Sequence, residues 1–281
     1  MMAGGEWHGM TERSTIEIPA GERPLQADVF RPVGASSLRT AVILLHGGAW
    51  RFGSRADMAP YAAALAGHGF IAIAAEYRLL GEAAYPAQLD DVRAVIAWVH
   101  AHAADLGIDQ GKIAVEGFSA GGHLALLAAA ANDGGEHPVA AVVSFFAPAS
   151  LEGPSPPGMP PRGAMLLGPG ATDAQIRAVS PVHQIRAGFP PTFLLGGMAD
   201  RLVPPAATLQ LFNALVGVDA PVDLHFFHGH THEFAALPSM LEPVQAEVAL
   251  FLKRSVVDPE GHAEENLRLN PFARPDWPPP P

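Results

Sequence analysis

Gly117-Phe118-Ser119-Ala120-Gly121-Gly122 lies between two stretches of opposite character. Before it, Lys112-Ile113-Ala114-Val115 is short, apolar and β-branched, as a buried strand should be. After it, His123-Leu124-Ala125-Leu126-Leu127-Ala128-Ala129-Ala130 is rich in strong helix formers. A serine on a glycine-pinched turn between strand and helix is held at a sharp bend, with its hydroxyl presented above the sheet. A free serine hydroxyl is a poor nucleophile. Such a turn therefore implies a base, an acid and an anion-binding pocket elsewhere in the chain.

Outward from this turn the chain alternates strands and helices. Ala41–Leu45 and Phe70–Ala75 are continuous apolar runs, the pattern of parallel strands covered on both faces. Val139–Phe146, Thr192–Leu195 and Val222–Phe227 supply further strands. Helices are predicted over Ala59–His68, Pro86–Ala104, Ala206–Leu215 and Pro243–Leu252. Upstream, Ser14–Ile18 and Leu25–Phe30 alternate apolar and polar residues and read as half-exposed antiparallel edge strands. The pattern predicts an α/β fold with a mostly parallel, doubly wound central sheet and antiparallel N-terminal strands.

Two regions break the rhythm. Pro154–Ala171 is dense in Pro and Gly and predicts a short irregular cap insertion, within about 150–180, on the face where strand ends bind substrates. From Val256 onward the chain runs to Pro278-Pro279-Pro280-Pro281 and reads as an extension that forms neither helix nor central strand. The expected organisation is a single catalytic domain over 1–254 and a Pro-rich tail over 255–281.

Composition excludes several classes of function. A formal net charge of −11 leaves no basic patch for nucleic acid. The absence of cysteine excludes disulfides, thiolate metal sites and a cysteine nucleophile. No segment is long and apolar enough to span a bilayer, and Met1–His8 lacks the basic start and apolar core of a signal peptide, so a cytoplasmic protein is expected. Oligomeric state is not legible.

Leu45-His46-Gly47-Gly48-Ala49-Trp50 follows directly on a buried strand. An oxyanion needs preorganised backbone N–H donors, and small residues let a turn aim them. With Arg51-Phe52-Gly53-Ser54, Glu76-Tyr77-Arg78-Leu79, Tyr85-Pro86-Ala87-Gln88-Leu89-Asp90-Asp91 and the serine turn, this stretch closely resembles the esterase branch of the α/β-hydrolases. It is similar to the hormone-sensitive-lipase-like, BD-FAE-like (feruloyl-esterase-like) and kynurenine-formamidase-like carboxylesterases, from about Ala41 to Leu252. Ala49 departs from the third glycine common in the lipase-like branch.

The resemblance implies an oxyanion hole from the amides of Gly48, Ala49 and Ala120, with Gly47 enabling the bend. It makes His46 a scaffold residue, and Arg78 with Asp90 or Asp91 a structural pair. Asp200, just past the strand at Thr192 and before Val203-Pro204, matches the acid loop. His232 matches the base best, with His230 second and His228 third. A rival reading takes His225, His228, His230 and His232 as a metal cluster; alternate residues of an extended loop point to opposite sides, so no metal site and no cofactor are expected.

The expected activity is therefore hydrolysis of small or aryl, including feruloyl-type, esters by Ser119, His232 and Asp200 through an acyl-enzyme. Trp50, Phe118 and Phe146 are candidate pocket residues, and no large helical insertion reads as a lid. An arylformamidase using the same triad is the alternative enzyme. A noncatalytic binding protein on a hydrolase scaffold is the alternative of another class.

Overall fold

The computed structural model describes residues 11–33, 37–131, 136–153, 155, 158–270 and 273. The proline run after Pro275 and the Met1–His8 stretch lie outside them. Strands β1 (Thr11–Ile18), β2 (Leu25–Pro32) and β3 (Ala41–Leu45) are followed by helix α1 (Ala59–Gly67) and β4 (Ile71–Ala75). Then come α2 (Ala87–Ala101), α3 (Ala103–Leu106), β5 (Ile113–Phe118), α4 (Ala120–Ala131) and β6 (Ala141–Phe145). Helices α5 (Arg162–Leu167) and α6 (Asp173–Ala178) precede β7 (Thr192–Gly197), α7 (Pro205–Val216), β8 (Val222–Phe227), α8 (Pro238–Leu252) and α9 (Pro259–Leu269).

The eight strands form one sheet in the order β1-β2-β4-β3-β5-β6-β7-β8. β1 pairs antiparallel with β2, and β2 antiparallel with β4. All remaining pairs are parallel. This is the α/β-hydrolase arrangement, with the antiparallel strands at the N-terminus as expected. One detail differs: β2 is not an edge strand. It lies between β1 and β4, and Leu25, Ala27 and Val29 are fully buried.

Side chains alternate across each strand, so β3 sends Ile43 and Leu45 to one core and Val42 and Leu44 to the other. The first core is closed by α2, α4 and α7, the second by α1 and α8. Helix α4 is apolar all round because it is covered on every side, packing on β5, β6 and α2.

Three elements depart from the sequence expectation. The cap insertion is not wholly irregular. Pro161 and Gly168 bracket α5, while Thr172 and Gln175 form a capping box that starts α6. Helix α8 begins at Pro238 and runs through Pro243, whose missing N–H leaves the exposed Ser239 carbonyl to solvent. The stretch after Val256 does form a helix. Asp258 caps α9 by accepting from Gly261 N–H at 3.0 Å, with Pro259 in the first turn. Among the described residues no helix is long and apolar enough to cross a membrane.

Candidate active site

Parallel strands bring the loops after β3, β5, β6, β7 and β8 to one end of the sheet, where Gly48, Ala49, Trp50, Ser119, Ala120, Phe146, Asp200 and His232 stand. At the turn after β5, Ser119 has φ +52 and donates its N–H to Phe145 O at 2.9 Å. A side chain is impossible at Gly121, where a Cβ would lie 2.3 Å from Leu45 O. The start of α4 is thus pressed against the end of β3, and the serine is left at the apex.

The loop after β8 places His232 over that serine. Its Nε2 is 3.1 Å from Ser119 Oγ and its Nδ1 is 2.6 Å from Asp200 Oδ2. Asp200 is buried, and its other oxygen accepts the N–H groups of Leu202 at 2.8 Å and Val203 at 2.9 Å. Both carboxylate oxygens are therefore committed. This geometry orients the imidazole from one side and leaves its other nitrogen facing the hydroxyl, the arrangement needed to take a proton from serine.

The neighbouring histidines go elsewhere. His230 gives its backbone carbonyl to Ala199 N–H at 2.8 Å, tying the loop after β8 to the loop after β7, and its ring packs against Phe227 and Phe234. His225 contacts Glu247 through Nδ1 at 2.6 Å, and His228 is exposed. Among the described residues no group of three or more His, Cys, Asp or Glu is placed to hold a metal ion.

After β3, Gly48 (φ +102), Ala49 (φ +52) and Trp50 (φ +61) turn the chain back over Ser119. A Cβ at Gly48 would lie 2.2 Å from Phe52 O, so only glycine fits. The Gly48 carbonyl accepts from Arg51 and Phe52 N–H, both at 3.0 Å, which fixes the turn. Among the described residues nothing accepts from the Gly48 or Ala49 N–H, and Ala120, first in α4, has no intrahelical acceptor. These three residues and Ser119 line one cavity.

The supporting residues follow the motifs. His46 is buried, stacks on Tyr77 with ring centroids 4.3 Å apart and donates from Nδ1 to Gly47 O at 2.8 Å. Burial pushes its pKa down, outweighing that hydrogen bond. Tyr77 donates to His46 O at 2.9 Å. Of the two candidate aspartates, Asp91 pairs with Arg78, accepting from its Nη2 at 2.7 Å and its backbone N–H at 2.8 Å. Asp90 instead faces Arg93. His123 is fully buried and donates from Nε2 to Val179 O at 2.8 Å, linking α4 to the cap; burial lowers its pKa to about 4.

Two cavities meet at Ser119. The smaller, about 200 Å³, contains Ala49, Trp50, Met159, Met165 and His232. The larger, about 450 Å³, contains Tyr61, Phe118 and Phe146. Of the candidate pocket residues, Trp50 lines the first and Phe118 and Phe146 the second, with the Phe146 ring 4.5 Å from that of His232. Sequence reasoning missed Tyr61 in the larger cavity, Arg162 in the smaller and Glu233, which lines both. Glu233 was within reach, since it adjoins His232. Tyr61 sits mid-sequence in α1 and carries no local signal.

A family model, BD-FAE, matches residues 27–215 of the chain. The probable carboxylic ester hydrolase LipM of Mycobacterium tuberculosis is 34% identical over 208 residues, 67% of this chain and 48% of that protein. Esterase LipQ of the same organism is 31% identical over 231 residues, 74% of this chain and 54% of that protein. The chain thus spans about half the length of these relatives. Among solved structures, the propionate-bound esterase Est2 of Thermogutta terrifontis superposes with a TM-score of 0.72 at 28% identity, covering 89% of this chain and 95% of that one. A bacterial heroin esterase superposes with a TM-score of 0.78 at 26% identity, covering 90% and 87%. With the sheet order, the serine turn and the matched family model in agreement, the chain belongs to the BD-FAE family of α/β-hydrolases.

Proposed function

We propose that the protein is a serine ester hydrolase acting on small or aryl esters through Ser119, His232 and Asp200. The observation that carries this reading is the continuous path from Asp200 Oδ2 through both nitrogens of His232 to Ser119 Oγ. His232 Nε2 takes the hydroxyl proton as Oγ attacks the ester carbonyl carbon. The negative charge that develops on the carbonyl oxygen faces the amides of Gly48, Ala49 and Ala120. Each such donor is worth roughly 3 kcal/mol in the transition state because it costs no reorganisation there.

Collapse of the tetrahedral adduct breaks the bond to the alcohol oxygen, which receives the proton from His232. Water then gives its proton to His232, attacks the acyl-serine carbon and releases the acid, and Ser119 recovers its proton. Asp200 holds the imidazole in the tautomer with hydrogen on Nδ1 and offsets the charge on imidazolium. The two cavities receive the two arms of the ester. Their modest volumes favour short arms, and the rings of Phe118, Phe146 and Tyr61 offer the arm in the larger cavity aromatic faces to pack on.

Ser119→Ala tests the reading. Turnover of p-nitrophenyl butyrate is expected to fall by roughly 10⁴-fold or more with the fold intact by circular dichroism. Near-parental turnover in this variant would overturn the mechanism.

A further inference from the structure

The two cavities that meet at Ser119 share Glu233 but differ in what balances it. The smaller also contains Arg162. The larger has the carboxylates of Asp57 and Glu233 in its lining and no Lys or Arg. Both carboxylates are exposed and neither is paired with a cation: among the described residues the Glu233 side chain makes no hydrogen bond or ion pair, and Asp57 spends one oxygen on Ser54 N–H at 2.8 Å. Glu233 follows His232 directly with a left-handed backbone, φ +59, and lines the cavity.

The rest of this cavity is aromatic. Tyr61, Phe118 and Phe146 are buried, and Phe52 stands at its rim 71% exposed. Tyr61 is only 6% exposed, yet among the described residues its hydroxyl has no hydrogen-bond partner, while the side chain lines the cavity. Burial first, and then the charges of Glu116, Glu233 and Asp57, push the Tyr61 phenol far above its usual pKa. Burial, the first cause, disfavours any charge, whereas the Glu233 and Asp57 carboxylates disfavour a phenolate and attract a cation.

We propose that the larger cavity receives a cationic arm of the substrate, an alkylammonium group carried on the ester, held by the ring faces and by Glu233 and Asp57. This rests on the reading of Ser119 as an ester-hydrolysing serine and specifies its substrate. Ring faces carry the negative part of the aromatic quadrupole and attract an ammonium that has shed its water. The carboxylates supply the net charge that a neutral aryl group does not require. The uncommitted lone pairs of the Tyr61 hydroxyl face the same space. A formal net charge of −11 on the chain extends the attraction outward and repels anionic esters.

The test compares butyrylcholine with 3,3-dimethylbutyl butyrate, in which carbon replaces the quaternary nitrogen and shape is kept. The parent enzyme is expected to prefer the charged ester by at least about tenfold in kcat/KM. Glu233→Gln is expected to cut that ratio by roughly fivefold, and raised salt to reduce it in the parent. Asp57→Asn is the second variant, with thermal melting as the check that either change leaves the fold intact. A parent that hydrolyses the neutral ester at least as well as the charged one overturns the proposal, as does a ratio unmoved by both substitutions. Calorimetry of choline against 3,3-dimethylbutanol on Ser119→Ala reads the cavity without turnover. If neither ester is cleaved but choline binds at least tenfold more tightly, the ester-hydrolase reading fails and the cation site stands. If choline binds no better than its neutral isostere, the cation site fails by itself.

Discussion

Asp200 and Glu116 are both buried carboxylates within reach of the serine turn, and their surroundings differ in one respect. Asp200 receives three donors: the N–H groups of Leu202 and Val203 and Nδ1 of His232. Glu116, three residues before Ser119 on β5, receives one, Gln245 Nε2 at 2.9 Å from α8. Its second oxygen has no partner, and neither has Gln245 Oε1. Burial raises the Glu116 pKa to about 8, opposed only by that amide. A protonated Glu116 gains a donor that an unpaired acceptor such as Gln245 Oε1 can take, which a carboxylate cannot supply. The two buried carboxylates differ in the number of donors that converge on them, three at Asp200 and one at Glu116.

The largest effect that sharpens this contrast is on turnover. Asp200→Asn keeps the shape but presents an amide to His232 Nδ1, and is expected to lower kcat on p-nitrophenyl butyrate by roughly 10³–10⁴-fold. Glu116→Gln, equally buried, is expected to leave it within about threefold. A comparable loss from both substitutions would break the distinction.

Next in size is the pH dependence of stability. The raised pKa of Glu116 means that the folded state holds a proton the unfolded state releases. Its contribution is fully present below about 4.5 and is lost as pH rises to about 8. The slope is roughly 1.4 kcal/mol per pH unit. His123, lowered to about 4, works the other way: it costs stability as pH falls from 6.5 toward 4. The two oppose each other from about 4.5 to 6.5, and only the Glu116 loss remains above. Denaturant midpoints between pH 6.5 and 8 are therefore expected to fall in the parent and stay nearly flat in Glu116→Gln; parallel curves would contradict a protonated Glu116. The smallest effect is that of Gln245→Leu at pH 6, which removes the one amide facing Glu116 and is expected to cost about 1–3 kcal/mol in urea unfolding.

The elbow and the glycine turn were legible because their constraints are local. A buried β-branched run, a serine and small residues at fixed offsets specify a strand, a bend and a helix whatever the rest of the chain does. Tyr77 was legible only as motif, while Arg78 was legible as one half of a structural pair with Asp90 or Asp91. The structure gives Tyr77 to the His46 carbonyl and chooses Asp91 over Asp90 for Arg78, because α2 turns Asp91 inward and leaves Asp90 exposed. The helix at Pro259–Leu269 was missed because the prolines beyond it outweighed a cap signal, Asp258-Pro259, that was present in the sequence.

The sequence by itself determined a mostly parallel sheet, a serine held at its strand-end face and the loops that carry Asp200 and His232, since these follow from local pattern and chain order. Only the tertiary structure puts one of the histidines, His232, against Ser119. His228, His230 and His232 share one short loop, and the choice depends on Ala199 gripping the His230 carbonyl, which leaves His232 to face Ser119. The charge of the larger cavity was likewise invisible. Asp57, Tyr61, Phe118 and Glu233 lie up to 176 positions apart (233 − 57) and become one surface only when the sheet closes. A cavity is a property of several segments at once, and no local rule of sequence encodes it.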